Sequence, residues 1–227
     1  MSNKTKILLV DDHPLVREWL ANLINEELQF EVCGAAGSGR EALQLMASTR
    51  PAIAIVDISL EGGSGIELLK DMKAMHPDVA AIVLSMHDES LYAERAMRAG
   101  ARGYIMKREA TGKVLDAIKA VLDGKLYFSN AANAMMAQKL TQGSVGAAET
   151  PVAGLSDREL EVFEMLGRGN NTRQISDQMN LSPKTVQVYC ARIKEKLNLA
   201  NINELIAQAV RWHENQITKN HLINPGN

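Results

Sequence analysis

The first half of the chain alternates short apolar runs with segments of helical periodicity. The apolar runs occupy residues 7–10, 32–35, 53–56, 80–84 and 103–106. Runs this short, with almost no polar side chains, are typical of strands buried on both faces of a sheet. Between them, apolar residues recur at helical spacing, and Leu15, Leu20, Leu23 and Ile24 predict the buried stripe of a first helix over residues 14–28. The alternation predicts an α/β fold, a doubly wound five-stranded parallel sheet with helices on both faces.

The second half of the chain contains only helical patterns, and a stretch of small residues separates it from the sheet domain. Ser129 begins a predicted linker helix, and residues 141–154 are rich in glycine and small residues, as flexible tethers are. After the tether, Ser156, Thr172 and Ser182 each fit the N-cap of a helix. The pattern predicts a sheet domain over residues 1–128, a linker helix and tether over 129–151, an all-α domain over 152–217 and a tail over 218–227.

Composition and charge narrow the class of protein. The net charge of −2 gives no bulk signal for nucleic acid, so a basic surface would have to be local. Cys33 and Cys190 lie far apart and in different predicted elements, which favours a reducing compartment over a disulfide. No apolar run approaches the ~20 residues of a membrane span, and residues 1–6 lack the apolar core of a signal peptide. The sequence therefore predicts a cytoplasmic protein that does not bind a membrane.

Polar side chains follow four of the five predicted strands. Asp57 ends the run 53–56, and taken alone it could equally be the cap of a loop. Right-handed crossovers, however, bring the carboxyl ends of all parallel strands to one edge of the sheet, where ligands bind in open α/β folds. The residues placed at that edge are Asp11, Asp12, Asp57, Ser85 and Lys107. A set of this size predicts a site rather than a series of caps.

The chemistry of this set favours phosphoryl transfer. Three carboxylates at close range need a cation, because like charges raise one another's pKa, and oxygen ligands with retained waters suit Mg²⁺. Lysine is a point charge suited to phosphate, and the hydroxyl of Ser85 can bond a phosphoryl oxygen. Asp57 is then the nucleophile. No glycine-rich nucleotide motif is present, so the sequence does not identify a nucleotide as the phosphoryl donor.

These residues, at these strand ends, resemble the receiver domain of two-component response regulators over roughly residues 5–125. The resemblance implies a flavodoxin-like fold in which Asp57 accepts a phosphoryl group from a histidine kinase. It also implies that Mg²⁺ is held by Asp12, Asp57 and the backbone carbonyl of Ser59, with Asp11 bound through a water. The cofactor expected from the resemblance is therefore Mg²⁺.

The resemblance also implies a switch. Lys107 would pair with the phosphoryl group, Ser85 would swing to bond it, and Tyr104 would turn inward to fill the vacated space. Ser59 and His87 fall where the family tunes the lifetime of the phosphoryl group. For Tyr104 and His87 the structural alternatives, a half-buried strand aromatic and a solvated loop residue, are each the commoner roles of such residues.

The helices on either side of Ser182 resemble a helix-turn-helix, whose second helix enters the major groove. Residues 183–197 carry four basic residues against one acid, a local net charge of +3, while Val186, Ile193 and Leu197 form an apolar stripe. On charge alone a solvated helix face is the better interpretation, and the turn geometry favours DNA. The predicted DNA contacts are Lys184, Thr185, Gln187, Val188, Ala191, Arg192 and Lys196.

The whole helical pattern of residues 152–215 resembles the LuxR/NarL-type DNA-binding domain. The motif letters run L-S-x-R-E-x-E-V, then I-x-x-x-x-x-L-S-x-x-T-V, then K-L. The resemblance implies double-stranded DNA as a partner and a homodimer, formed on phosphorylation and often through the last helix. Gln187 stands where lysine is common and Tyr189 where histidine is, which predicts weaker electrostatic binding and an altered base preference.

Three functions are compatible with these features. The first is a phosphorylation-gated transcription factor, which is not an enzyme and has no catalytic residues of its own. The second is a Mg²⁺-dependent phosphohydrolase with an aspartyl intermediate, but Ser59 stands where a general acid would be expected. The third is a docking protein, which would not need the full set of acidic residues. The sequence favours the first.

Overall fold

The computed structural model describes residues 4–60, 63–142 and 151–223. The chain divides into two compact units, residues 1–147 and 148–227. Most of the predicted tether, and the last four residues of the predicted tail, fall outside the described residues. The predicted domain boundaries therefore stay predictions. None of the described helices is both long and apolar enough to cross a membrane.

The first unit is built on the predicted five-stranded parallel sheet, with strand order β2-β1-β3-β6-β7. Its strands are β1 (Thr5–Val10), β2 (Phe30–Ala36), β3 (Ile53–Val56), the short hairpin β4 (Ser59–Leu60) and β5 (Gly63–Ser64), β6 (Ala80–Ser85) and β7 (Ala101–Met106). Its helices are α1 (Pro14–Asn25), α2 (Gly39–Thr49), α3 (Gly65–Met75), α4 (Glu89–Ala99), α5 (Ala110–Leu122) and α6 (Asn130–Gln142). The predicted fold class is confirmed.

Both faces of the sheet are covered, as the apolar runs require. Alternate residues of β1, β3, β6 and β7 pack with α1 and α5 in one core, in which Ile7, Ile55 and Ile118 are at most 2% exposed. The intervening residues face the other side, where α2, α3 and α4 cover them. Leu8 of β1 is one of these residues. A Cβ added at Gly34 would lie 3.1 Å from the Leu8 side chain and 3.4 Å from the Leu45 side chain of α2, so Leu8 faces the side that α2 covers. Strands buried on both faces are the physical reason for the unbroken apolar runs.

Two details of the first unit differ from the sequence prediction. The first helix ends at Asn25 instead of residue 28, and Leu15, predicted on its buried stripe, is 79% exposed. The stripe is formed by Leu20 and Ile24, which are fully buried. Leu15 lies in the first turn of α1, and periodicity alone does not show which turns of a helix the core covers.

The described residues of the second unit form a 3-10 turn (Pro151–Gly154) and four α-helices: α7 (Asp157–Gly167), α8 (Thr172–Gln178), α9 (Pro183–Lys196) and α10 (Ile202–Ile223). Ser156 and Glu159 form the predicted capping box of α7. The cap of α8 is Asn171 instead of the predicted Thr172, since the Asn171 side chain accepts from the backbone N–H groups of residues 173 and 174. Asparagine and threonine are both favourable N-cap residues, so the sequence alone does not show which of the two neighbours is the cap; the backbone conformation decides it.

Candidate functional site

The phosphoacceptor candidate is held by backbone contacts at the end of β3. The N–H of Asp57 donates to the carbonyl of Val10 at 2.8 Å, and parallel pairing of Val10 with Val56 brings Asp11 to the same edge. On the other side, the N–H of Gly65 donates to the carbonyl of Ile58 at 2.7 Å. A Cβ at Gly65 would lie 1.9 Å from the Asp57 carbonyl oxygen, so only glycine allows this close approach. The loop after the strand therefore fixes where the carboxylate sits.

Lys107 connects two of the three predicted carboxylates. Its Nζ lies 2.6 Å from Asp57 Oδ2 and 2.6 Å from Asp11 Oδ2. The lysine side chain is 11% exposed and both carboxylates are 4% exposed, so these charges are largely shielded from water. At this distance and burial the pairs interact far more strongly than surface ion pairs do. The edge of the sheet thus brings the residues that directly follow β1, β3 and β7 into one charged cluster.

Burial dominates the electrostatics of the cluster. It raises the pKa of Asp57 from 3.8 to about 6, against the opposing attraction of Lys107 and with a contribution from Asp11. Burial also raises the pKa of Asp12. Burial acts to lower the pKa of Lys107, but the attraction of Asp57 and the hydrogen bonds to Asp11 and Asp57 outweigh it, and the pKa is raised. The site therefore holds more carboxylate charge than one lysine neutralises.

The same carboxylates fit a divalent cation. Ligand atoms of Asp11, Asp12, His13 and Asp57 all lie within 4.8 Å of one another. The closest nitrogen to Asp11 Oδ2 is Lys107 Nζ at 2.6 Å, and the closest nitrogen to Asp12 Oδ1 is His13 Nδ1 at 2.6 Å. A set dominated by carboxylate oxygens suits a hard cation such as Mg²⁺.

Sequence reasoning missed His13. Its Nδ1 lies 2.6 Å from Asp12 Oδ1, and its backbone N–H donates to Asp11 Oδ1 at 2.9 Å. It therefore orients both carboxylates, as groups around a metal site commonly do. A histidine directly after two acids at a strand end was the available signal.

The predicted switch residues converge on the loop between β6 and α4. Ser85 is fully buried, and its Oγ accepts a hydrogen bond from the N–H of His87 at 3.3 Å. The hydroxyl of Tyr104, also buried, donates to the carbonyl of His87 at 3.0 Å. The His87 ring lies 3.0 Å, Nε2 to Oγ, from Ser59 and packs on Tyr92 at 4.6 Å between ring centroids. His87 is 9% exposed, so it is a packed residue instead of the solvated loop residue that is the commoner alternative.

The turn between α8 and α9 has the geometry of a helix-turn-helix. Asn180 adopts a positive φ of 51°, and the N–H of Leu181 donates to the carbonyl of Ser176 at 2.9 Å. Ser182 caps α9 by accepting from the N–H of Thr185 at 3.0 Å, with Pro183 in the first turn as predicted. The left-handed residue reverses the chain tightly, and the cap then starts the second helix at once.

Comparison with known proteins assigns both units. Residues 7–119 match the response regulator receiver domain, and residues 153–209 match the luxR family of bacterial regulatory proteins. The response regulator UvrY of Escherichia coli K12 is 35% identical over 205 residues, which cover 90% of this chain and 93% of UvrY. The chain belongs to the response regulators. The transcriptional activator protein ExaE of Pseudomonas putida is 37% identical over 90% of this chain and 95% of ExaE.

The fold of this response regulator is similar to that of a solved relative. RcsB of Salmonella enterica serovar Typhimurium, solved bound to promoter P1flhDC in the presence of the phosphomimetic BeF₃⁻, has a TM-score of 0.55 and 22% identity. The match covers 90% of this chain and 97% of that chain. The regulator combines a receiver domain with a LuxR-type DNA-binding domain, and the family places it among transcription regulators.

The predicted DNA contacts of the regulator lie on the outer side of α9, and one of them, Lys196, also forms an ion pair within the unit. Lys184, Gln187, Val188, Ala191 and Arg192 are exposed, and Thr185 is half-buried beside its cap. Lys196 is exposed too, but its Nζ lies 2.6 Å from the carboxylate of Glu159 and 3.2 Å from the carbonyl of Gly154. Its predicted DNA contact stays a prediction, and it would have to compete with this ion pair.

Proposed function

We propose that this response regulator is a transcription factor controlled by phosphorylation of Asp57. In the proposed step an Asp57 carboxylate oxygen attacks the phosphorus of a histidine kinase's phosphohistidine. The P–N bond breaks, and the imidazole of the kinase leaves with the electron pair. The observation that carries the proposal is the Lys107 ammonium, which lies 2.6 Å from Asp57 and from Asp11. A cation in this position can stabilise the added phosphoryl charge.

The proposed cofactor is Mg²⁺, and its ligands are Asp12, Asp57 and the backbone carbonyl of Ser59, with Asp11 bound through a water. The cation would supply positive charge at the phosphoryl oxygens. The carboxylate ligand atoms within 4.8 Å of one another support this assignment. After phosphorylation, Lys107 pairs with the phosphoryl group, the Ser85 hydroxyl bonds it, and Tyr104 follows the movement of the loop at His87.

The proposed output is binding of a homodimer to a two-fold site in double-stranded DNA. Arg192 and Lys184 supply exposed positive charge on α9, and Gln187 is placed to read a base edge. Ile202 and Ile206 of α10 are 42% and 39% exposed and lie one turn apart, which makes α10 the proposed dimer contact. The regulator is then a switch that is phosphorylated once per signal, and it is not an enzyme acting on a separate substrate.

The test uses the full chain with acetyl phosphate and Mg²⁺, followed by phosphate-affinity electrophoresis and DNA binding to sites mapped across the genome. We expect phosphorylation at Asp57, at least tenfold tighter DNA binding, and loss of both in Asp57→Asn. Rapid turnover of organic phosphates would support the phosphohydrolase instead. Absence of any phosphorylation, with DNA affinity independent of Asp57, would contradict the proposal and leave the docking function.

A further inference from the structure

The segment that leaves α5 lies along the free edge of the sheet before it enters α6. The N–H of Tyr127 donates to the carbonyl of Arg102 at 2.9 Å, and the N–H of Tyr104 donates to the carbonyl of Tyr127 at 2.8 Å. Gly103 pairs with Tyr127 in a parallel bridge, and a Cβ at this glycine would lie 3.2 Å from the Tyr127 carbonyl oxygen. The connection is thus attached to β7 at the backbone of the predicted switch residue Tyr104.

The start of α6 is held by α4. The backbone N–H of Ser129 donates to Glu89 Oε1 at 2.8 Å, while the Ser129 hydroxyl accepts from the N–H of Ala132 at 3.1 Å and caps the helix. Ala132 is 2% exposed and Phe128 is 9% exposed, and α6 packs against α4. The helix predicted as a linker is therefore attached to α4 of the first unit.

Glu89 is the first residue of α4 and stands two residues after His87, which lies in the loop that the predicted switch residues contact. The N–H of His87 is bound to Ser85 Oγ at 3.3 Å and its carbonyl to the hydroxyl of Tyr104 at 3.0 Å. A Ser85 hydroxyl that turns towards a phosphoryl group can no longer hold this N–H in place. The peptide at His87 must then shift, and Glu89, two residues downstream, accepts the hydrogen bond from Ser129 at the start of α6.

We propose that the hydrogen bond between Glu89 and Ser129 transmits the state of the Asp57 site to α6, and through α6 to the chain that leads to the DNA-binding unit. In the unphosphorylated receiver, Glu89 fixes the first turn of α6 on α4. Phosphorylation displaces the loop at His87, loosens this bond and frees the first turn of α6. Glu89 is a positioning residue and takes no part in phosphoryl transfer. The inference rests on the proposed phosphorylation of Asp57.

The test measures amide hydrogen exchange of residues 127–137 in the full chain, with and without BeF₃⁻ and Mg²⁺. In the wild type we expect BeF₃⁻ to accelerate exchange at the first turn of α6 at least threefold. In Glu89→Ala we expect exchange without BeF₃⁻ to be about five- to tenfold faster, since a hydrogen bond to a charged group is lost. BeF₃⁻ should then add less than a twofold change, and the gain in DNA affinity on phosphorylation should fall to less than half.

Two variants serve as controls. Glu67→Ala removes an exposed carboxylate from the first turn of α3, as Glu89→Ala removes a carboxylate from the first turn of α4, and should leave exchange at α6 unchanged. Glu89→Gln keeps an acceptor oxygen and should remain within about twofold of the wild type. Glu89→Ala and both control variants should be phosphorylated by acetyl phosphate at the wild-type rate.

The possible outcomes distinguish a failure of the proposed Glu89–Ser129 coupling from a failure of the proposed phosphorylation of Asp57. Normal phosphorylation of the wild type with unchanged exchange at α6 would overturn the coupling alone, and so would a Glu89→Ala variant that behaves like Glu67→Ala. A wild-type chain that is not phosphorylated at Asp57 and does not respond to BeF₃⁻ would overturn the proposed function and the coupling together.

Discussion

At the scale of single residues, the Asp57 carboxylate is destabilising at neutral pH. Its pKa in the fold is raised from 3.8 to about 6, so it favours the folded state below pH ~4. That contribution is lost as the pH rises through about 6, because the buried carboxylate must then carry a charge. The proposed phosphoacceptor is thus held at a cost to stability.

The first prediction follows from this cost. In the absence of divalent cations, Asp57→Asn should be more stable than the wild type at pH 7.5 by about 1–3 kcal/mol, and by much less at pH 4. Urea unfolding at the two pH values measures the difference. A stabilisation of equal size at both, or a less stable variant at pH 7.5, would contradict the assignment of the shift to burial.

A second prediction concerns Gly65. A Cβ at this position would lie 1.9 Å from the Asp57 carbonyl oxygen and 2.8 Å from its carbonyl carbon, and neither backbone atom can yield without moving the end of β3. Gly65→Ala should cost about 2 kcal/mol or more and slow phosphorylation by acetyl phosphate at least tenfold. Gly63→Ala is the matched control, since no atom lies within 4 Å of the Cβ that it would add. Equal phosphorylation rates in the two variants would refute the argument.

At the scale of elements, the basic residues of α9 differ in whether they contact the rest of the unit. Lys184 and Arg192 are exposed, whereas Lys196 is paired with Glu159 at the start of α7. Hydrogen bonds to Lys196 and Ser156 outweigh burial, which acts to raise the pKa of Glu159, and the pKa is lowered. The charged end of α9 therefore helps to hold two helices of the unit together.

The third prediction tests this difference by salt dependence. Lys184→Ala and Arg192→Ala should each reduce the slope of log affinity against log salt by about 0.9, as expected for one lost phosphate contact. Lys196→Ala should change the slope less and lower the stability of the unit by at most about 1 kcal/mol, since the lysine is half exposed. If Lys196→Ala reduced the slope by the same ~0.9 and left the stability unchanged, the DNA contact of Lys196 would outweigh its ion pair with Glu159.

The fourth prediction concerns the residue at which α9 departs from the common pattern. Glutamine pairs bidentately with adenine, whereas lysine prefers guanine or phosphate. Gln187→Lys should steepen the salt dependence by about 0.9 and move the base preference at the contacted position from adenine towards guanine. The measurement is the affinity of both proteins for a panel of single-base variants of the DNA site, at several salt concentrations. Unchanged slope and preference would mean that Gln187 does not contact DNA.

At the scale of the whole molecule, the proposed switch joins two sites of opposite character. In this proposal the buried charged cluster of the receiver would change state, and the exposed surface of α9 in the helical unit would bind DNA. A second DNA-binding helix supplied by a partner copy would raise affinity without any new contact on α9, because the second binding event becomes intramolecular.

The fifth prediction tests the proposed dimer contact. Ile206→Glu places a charge on the exposed apolar ridge of α10 and should weaken binding of the phosphorylated protein to a two-fold site about a hundredfold, with little effect on a half-site. Ala207→Glu, the exposed neighbour one residue along the helix, is the control. Sedimentation and binding to full sites and half-sites provide the measurements. Equal loss on both sites would indicate unfolding rather than a lost dimer.

The sequence by itself determined the order of the strands along the chain, their burial on both faces, and the polar set at their ends. These features depend on local patterns: unbroken apolar runs need two covered faces, and acids such as Asp57 directly after a strand must reach the edge of the sheet. The capping box at Ser156 and the cap at Ser182 were equally predictable, because a cap is a contact over two or three residues.

Only the tertiary structure decided which contacts those residues make. Leu15 has the periodicity of a buried residue but lies beyond the core, and Lys196 has the charge of a DNA contact but pairs with Glu159. The attachment of α6 to α4 through Glu89 and Ser129 joins positions 40 residues apart. Such contacts depend on how separate elements pack, and no local pattern carries that information, so only the structure shows that α6 packs against α4.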